Sequence, residues 1–389
     1  MFKNILMSGL LCSFLCAESF DDFLQRAVQN SPYLHSSALA IAQVDEQGKV
    51  LTRYENPSLE LEISSFEPDT GASETGYRVG FTQPLRLWNI ADNKQSLADA
   101  NRLQAHAEYG EKKAKFIRDI SLEYTLYAQS KMALQLAQQE LAIAKKIYEI
   151  SLARFEGGTI SQGIKLQAQV DYEMSQSAKH TLSLASMQSY FTLLEFAGIN
   201  QEIQIQEDHN FSIQNDLTNT QNPALHRLKS SKVQALADAQ VNSNSIEFVD
   251  LFAELESEPE QDILRVGVNL PLTFFNNKSQ EKTIATLQAN RIELLVENEI
   301  NRLNITQKKL QYERSSLEML KNTNAKILQT QLKLLKMYED GYKIANINLL
   351  QLQDIKNKVI QTKRALIQIN TALNQNAIYT NYTQGSYND

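Results

Sequence analysis

Cysteine is almost missing from this chain of 389 residues: two occur, Cys12 and Cys16, both close to the N-terminus. Beyond residue 16 no disulfide and no thiolate metal site can form. Histidine is sparse too. His35, His106, His180, His209 and His226 show no i, i+3 or i, i+4 pairing, so no helix offers paired imidazoles to a metal. Only 13 glycines and 7 prolines interrupt the chain, which leaves room for very long regular elements. There is no basic excess. The formal net charge is −7, which argues against a nucleic-acid surface. Past the N-terminus no apolar run reaches the roughly 18 residues of a spanning helix. Gly157-Gly158…Gly163 is not followed by Gly-Lys-Ser/Thr, so it is not a phosphate loop. No nucleophile–base arrangement is legible. We therefore expect no catalytic residue, no cofactor and no metal.

The N-terminus reads as a secretory signal over 1–17. Lys3 gives the positive start, Ile5 to Phe14 the apolar middle, and Leu15-Cys16-Ala17 a cleavage site before Glu18. Cys16 would be the lipid-anchor position, although Leu15 before it is large for such a site.

The rest carries one pattern twice. Phe20, Phe23, Leu24 and Ala27 keep helical spacing, and Asn30-Ser31-Pro32 caps a second helix that Asn56-Pro57 stops. Strands follow at about 58–66 and 77–84. Leu59, Leu61 and Ile63 alternate with Glu60, Glu62 and Ser64, and Tyr77, Val79 and Phe81 alternate with Arg78, Gly80 and Thr82. A stretch without proline then runs to Phe155, turns at Gly157-Gly158, and returns to Gly198. About 70 helical residues make a rod on the order of 100 Å long. Its seam has a period of seven: Ile120, Tyr127, Leu134, Leu141, Tyr148 and Phe155, with small residues at Ser130, Ala137, Ala144 and Ser151. Large knobs beside small holes indicate helices packed as in coiled coils.

The second copy opens at Gln221-Asn222-Pro223. It gives strands at about 246–255 and 263–271, joined by the acidic turn Glu256-Ser257-Glu258-Pro259-Glu260. Phe248 and Phe252 share a face with Asp250 and Glu254, so the first of these strands alternates less cleanly. A helical hairpin at about 276–375 turns near Gly341. The expected organisation is thus a signal (1–17), a first repeat (18–210) and a second repeat (211–389).

Four strands per chain cannot close a barrel, and lipid tolerates no open sheet edge. Two chains would give eight strands, filled by side chains; three give twelve, which leaves a lumen. The fold expected is mainly α with a β part. In it a homotrimer forms a 12-stranded outer-membrane β-barrel continuous with an α-helical barrel.

These features resemble the TolC family of outer-membrane efflux ducts. Phe155-x-x-Gly158-x-x-Ser161, followed by Leu166-x-Ala168-Gln169, is similar to the family's signature at a helix tip. Tyr338-x-x-Gly341, followed by Leu350-x-Leu352-Gln353, fits with one extra residue, its serine replaced or shifted to Ala345. Gly80-Phe81-Thr82-Gln83-Pro84-Leu85 and Gly267-Val268-Asn269-Leu270-Pro271-Leu272 match as strand ends. Short insertions and compact strands resemble the heavy-metal efflux branch.

The resemblance implies a trimer in the outer membrane with a long periplasmic portion. It implies helix tips that dock a periplasmic adaptor (membrane fusion) protein, and an inner-membrane pump of the resistance-nodulation-division or a similar type as energy source. Phe155, Gly157, Gly158, Ser161, Tyr338 and Gly341 would form the docking tips; glycine's backbone freedom lets Gly157, Gly158 and Gly341 make the positive-φ turn between the helices. A gate ring would lie on the return helices. Its main acidic position falls on Asn348 and a second on Gln351 or Leu352; Asp354 and Asp171 are the nearest carboxylates. Two other classes compete: a periplasmic adaptor, which carries one helical hairpin rather than two, and a structural coiled-coil protein, which needs no alternating strands.

Overall fold

A computed structural model describes residues 17–387 except Pro68, Trp88, 215–221 and Ala345. The signal segment, with Cys12 and Cys16, lies outside the described residues, as does Ala345. Eleven elements follow in order among those described: α1 (Phe20–Asn30), α2 (Pro32–Thr52), β1 (Ser58–Phe66), β2 (Glu74–Arg86), α3 (Ile90–Glu156), α4 (Gln162–Ala197), α5 (Pro223–Asn242), β3 (Phe248–Glu258), β4 (Gln261–Asn269), α6 (Ser279–Lys343) and α7 (Leu349–Gln384). The order α-β-β-α-α occurs twice. Capping sets the starts. Ser31 Oγ accepts from Leu34 N at 3.3 Å, and Asn222 Oδ1 accepts from Ala224 N at 3.0 Å. Each cap is followed by a proline at the first helical position, where a missing N–H costs nothing. β3 runs through Glu256-Ser257-Glu258, so the turn to β4 is only Pro259-Glu260, tighter than the five-residue acidic turn expected.

The chain divides into two units. One takes its described residues from 36–112 and 222–302 and holds the sheet. The four strands pair antiparallel in the order β1-β2-β3-β4. Leu61, Val79, Leu255 and Leu264 form one rung across all four strands. The apolar side of this sheet is bare: Leu61 is 70% exposed, Ile63 81% and Leu264 71%. The other side carries the charge. Arg78 pairs with Glu60 at 3.4 Å, with Glu62, and with Glu254 at 3.7 Å. Arg265 pairs with Glu254 at 2.5 Å and with Glu256. Phe252 sits on this charged side for a steric reason. Its ring lies over Gly267, where an added Cβ would come 2.6 Å from Phe252 Cζ. A bulky residue against a glycine keeps the rung filled without bending the sheet.

Below the strands, β2 is tied to the linker after α2. Arg86 Nη1 donates to Thr52 O at 2.7 Å, its guanidinium lies over the Tyr54 ring, and Gln83 Nε2 donates to Glu55 O at 3.2 Å.

The other unit, described over 17–35, 113–214 and 303–387, is helical. In the seven-residue seam of α3, Ile120 and Tyr127 are buried and Leu134, Leu141, Tyr148 and Phe155 only partly so, whereas Ala144 and Ser151 are wholly buried and Ala137 is 2% exposed. The small residues make the close approach and the large ones flank it. A second core gathers Phe23, Ala27, Leu34, Ile120, Tyr124 and Leu193. There Tyr124 donates to Gln206 O at 2.7 Å and accepts from His209 N at 3.3 Å. The Phe20 ring packs 4.6 Å from both Tyr124 and His209. Burial pushes the Tyr124 and Tyr127 hydroxyls up to about 12.

An alkaline limit to stability follows. A phenol whose folded value is raised favours folding fully below about pH 10, its unfolded value, and loses that contribution as pH rises to about 12. Melting temperature should fall steeply across that window. The Tyr124→Phe chain should start lower at pH 8 and fall less steeply. Equal slopes in the two chains would count against it.

Candidate functional site

The residues singled out at the helix tips all lie in the helical unit. At the first tip α3 closes on Gly158, with φ +69°. Gly158 N donates to Phe155 O at 2.9 Å, and Thr159 N donates to Arg154 O at 2.9 Å. This pair of bonds satisfies the last carbonyls of a helix that ends in a left-handed residue. The Thr159 hydroxyl adds a bond to Arg154 O at 2.8 Å. Ser161 precedes α4, exposed, and its hydroxyl makes no capping bond. Lys165 lies over the Phe155 ring at 5.2 Å.

The second tip is built differently. Of Gly157, Gly158 and Gly341, each able to supply a positive-φ turn, only Gly158 adopts positive φ. Gly341 is inside α6, and its carbonyl accepts from Asn346 N at 2.9 Å and Ile347 N at 3.3 Å. It must be glycine for space: a Cβ would meet Ile347 Cγ1 at 2.6 Å. Asn348, the first gate candidate, is the N-cap of α7. Its Oδ1 accepts from Gln351 N at 2.9 Å, and Gln351 Oε1 accepts from Asn348 N at 3.2 Å. Such a reciprocal box fixes where the return helix begins. Leu352, also set near the gate, is instead fully buried with Ile355 and Val359.

Three residues that the sequence did not single out, Arg154, Tyr342 and Lys356, join the two hairpins. Arg154 Nη1 donates to Tyr342 O at 2.9 Å, and its guanidinium lies 4.6 Å from the Tyr342 ring centre. Ser151 Oγ donates to Ile147 O, so the Tyr342 hydroxyl, 2.8 Å away, is the donor to Ser151. Lys356 is wholly buried, and its ammonium reaches both oxygens of Asp171 at 2.7 and 2.6 Å. Asp171 is thus held by one cation. Asp354 is different: it is exposed on α7 and pairs with Lys358 one turn on, at 2.6 Å. Around these contacts Met337, Ile344 and Leu350 are more than 60% exposed, so the tips present apolar side chains outward. Among the described residues no group of three His, Cys, Asp or Glu side chains could hold a metal ion.

Residues 23–198 match the family described as outer membrane efflux protein. The span takes in α1 to α4 with both strands of the first hairpin. No curated protein matches the chain. Solved structures do. That of CusC has a TM-score of 0.78 at 15% identity, covering 94% of this chain and 91% of the other. The CmeC outer membrane channel of Campylobacter jejuni has a TM-score of 0.75 at 13% identity, over 94% and 85%. The open state of the MtrE outer membrane channel of Neisseria gonorrhoeae has a TM-score of 0.76 at 13% identity, over 93% and 88%. At these identities the likeness is one of fold.

The tip geometry sets two expectations. Asp171→Asn strands a buried ammonium and should cost about 3 kcal/mol in urea unfolding, while Asp354→Asn should change stability by less than about 0.5 kcal/mol. Gly158→Ala should cost about 1 kcal/mol through its left-handed backbone alone. Gly341→Ala should cost more unless Ile347 is shortened with it. Equal costs for the two carboxylates, or no rescue of Gly341→Ala by Ile347→Ala, would contradict the structure.

Proposed function

We infer that this chain, a member of the outer membrane efflux protein family, is the exit duct of an efflux system, and that three copies close one pore. The carrying observation is the sheet. Its apolar side is more exposed than its charged side, the reverse of a sheet on a water-soluble core. Among the described residues β1 and β4, nine residues each, pair on one edge only. In lipid an unpaired strand edge leaves each N–H and C=O unsatisfied, at several kcal/mol per group. β1 and β4 run antiparallel, so β4 of one copy can pair with β1 of the next. Three copies give twelve strands with the leucines outward and the Arg78 and Arg265 clusters inward. The doubled order of elements supports a chain built from two repeats.

No helix among those described is long and apolar enough to cross a membrane. The sheet is therefore the membrane part, and an outer-membrane location with the helices in the periplasm accords with the family. The helix tips dock a periplasmic adaptor through the apolar rim around Gly158, Ser161 and Gly341, and a pump in the inner membrane drives transport. The duct itself performs no chemistry. Asp354 is the gate carboxylate on this reading: its pair with Lys358 is solvent-exposed and weakly held, whereas Asp171 is bound by the buried ammonium of Lys356.

Two measurements test this. Chain extracted from outer membranes in mild detergent should have about three times the 44.1 kDa of one chain. A monomer with its strand amides protected from exchange would overturn the duct. In planar bilayers Asp354→Asn should lower cation selectivity and block by multivalent cations about twofold, by the loss of one carboxylate per copy. Unchanged selectivity would remove Asp354 from the gate and leave the duct standing.

A further inference from the structure

The segment between β4 and α6 keeps the alternation of β4 after the sheet has ended. Leu264, Val266 and Val268 point to the bare side of the sheet, and Leu270, Leu272 and Phe274 continue the same parity. All are exposed, Phe274 at 80%, and the adjoining Phe275 is entirely so at 103%. Two phenyl rings fully in water are a large unfavourable exposure of apolar surface.

The segment is nonetheless held in place at its end. Asn276 Oδ1 accepts from Lys278 N at 3.2 Å, and Asn277 Oδ1 accepts from Ser279 N at 3.2 Å. Lys278 has φ +56° and pairs with Glu247 at 3.1 Å. Polar side chains fix the backbone at this end, next to two exposed phenyl rings.

The register fixes the level at which the segment leaves the sheet. Val268 stands opposite Leu251, which stands opposite Gln83. Continuing the ladder puts Leu270 level with Leu85, and Phe274 and Phe275 about two rungs lower. From Leu264 to Phe274 is ten residues, about 33 Å along an extended strand and about 25 Å of height at a tilt near 40°. That is the height of the apolar band of an outer-membrane barrel, which ends in an aromatic girdle. β4 alone, ending at Asn269, is too short to cover it. The first hairpin carries an independent sign: Trp88 lies four residues after Pro84, as Phe275 lies four after Pro271.

We propose that 270–275 is a membrane-interface anchor, its occupant the headgroup–acyl boundary of the inner leaflet, with Phe274 and Phe275 setting the depth of the barrel. This rests on the sheet being in lipid. Aromatic rings are favoured at that boundary because an apolar body meets water at one edge.

The test places an indole at position 275. In full-length Trp88→Phe chain, Phe275→Trp is reconstituted into phosphatidylcholine vesicles brominated either high on the acyl chain or near its end. Leu264→Trp in the same background reports on the sheet. Emission from the Phe275→Trp chain should be blue-shifted and quenched at least about twofold more by the high bromines than by the deep ones, as expected at the interface. Water-like emission without quenching would overturn the anchor, leaving the segment in solvent. Blue-shifted emission without quenching would also overturn it, since a second protein copy would then cover the rings. In both cases quenching in the Leu264→Trp chain keeps the barrel intact. If the Leu264→Trp chain is itself unquenched, the sheet is not in lipid, and the duct falls with the anchor.

Discussion

Backbone hydrogen bonding at two strand edges governs this molecule. A four-stranded sheet satisfies the inner edges and leaves β1 and β4 each with one bare side. In water those groups would find solvent, and a charge or a bulge would discourage pairing. Here the outward side chains on both edge strands are Leu59, Leu61, Ile63, Leu264, Val266 and Val268, which favour lipid. In the proposed duct lipid offers no hydrogen bonds, so apolar face and open edge together require closure. In that duct identical copies can close the sheet, because β1 and β4 are equal in length and opposite in direction. The match of residues 23–198 to the outer membrane efflux protein family, and the fold shared with solved outer-membrane channels at 11–15% identity, agree with a constraint that is almost independent of sequence.

The helical unit solves a different problem, that of packing long rods side by side. Ala144, Ser151 and Ala168 lie at 0–1% exposure, and the larger residues flank them. Small residues at the closest approach let backbones come near, while Tyr342 and Leu352 fill the remaining space. At the tips polar bonds supplement this packing. Arg154 holds a carbonyl of the opposite hairpin, and Lys356 holds a carboxylate. Such buried charges add direction more than net stability, since desolvation offsets most of the attraction. They fix which hairpin face meets which.

Much of this was legible in the residues. Period two in Leu59–Ile63 and in Leu264–Leu270 marked strands with one apolar side. Period seven from Ile120 to Phe155 marked a packed rod. Ser31-Pro32 and Asn222-Pro223 marked helix starts by chemistry that the structure retains. Less was legible at the tips. All three glycines looked like turn residues, yet only Gly158 is left-handed; Gly341 answers to the side chain of Ile347, a contact across a loop that no local pattern encodes. Asn348 stood at the place of an acidic ring member and is a cap, a role that Gln351 three residues on could have signalled. Lys356 carried a signal too. It falls on the stripe of Leu352, Ile355 and Val359, where a charge demands a buried partner, but spacing alone could not name Asp171, 185 residues away.

The charged side of the sheet bears on how the strands find their register. Along a strand a slip of one residue turns every side chain to the opposite face. For β2 that would carry Arg78 outward, at about 2–4 kcal/mol for an arginine at mid-membrane, and turn Val79 and Phe81 inward. For β4 the same slip would expose Arg265. The arginines also act laterally. Arg78 on β2 reaches carboxylates on both β1 and β3, and Arg265 on β4 reaches two on β3. A two-residue slip keeps the faces right but separates these partners, leaving four glutamates without cations. Leucine parity therefore rejects odd shifts and the arginine clusters reject even ones. The same two cations face four glutamates, so the feature that sets the register also gives that face of the sheet its negative sign.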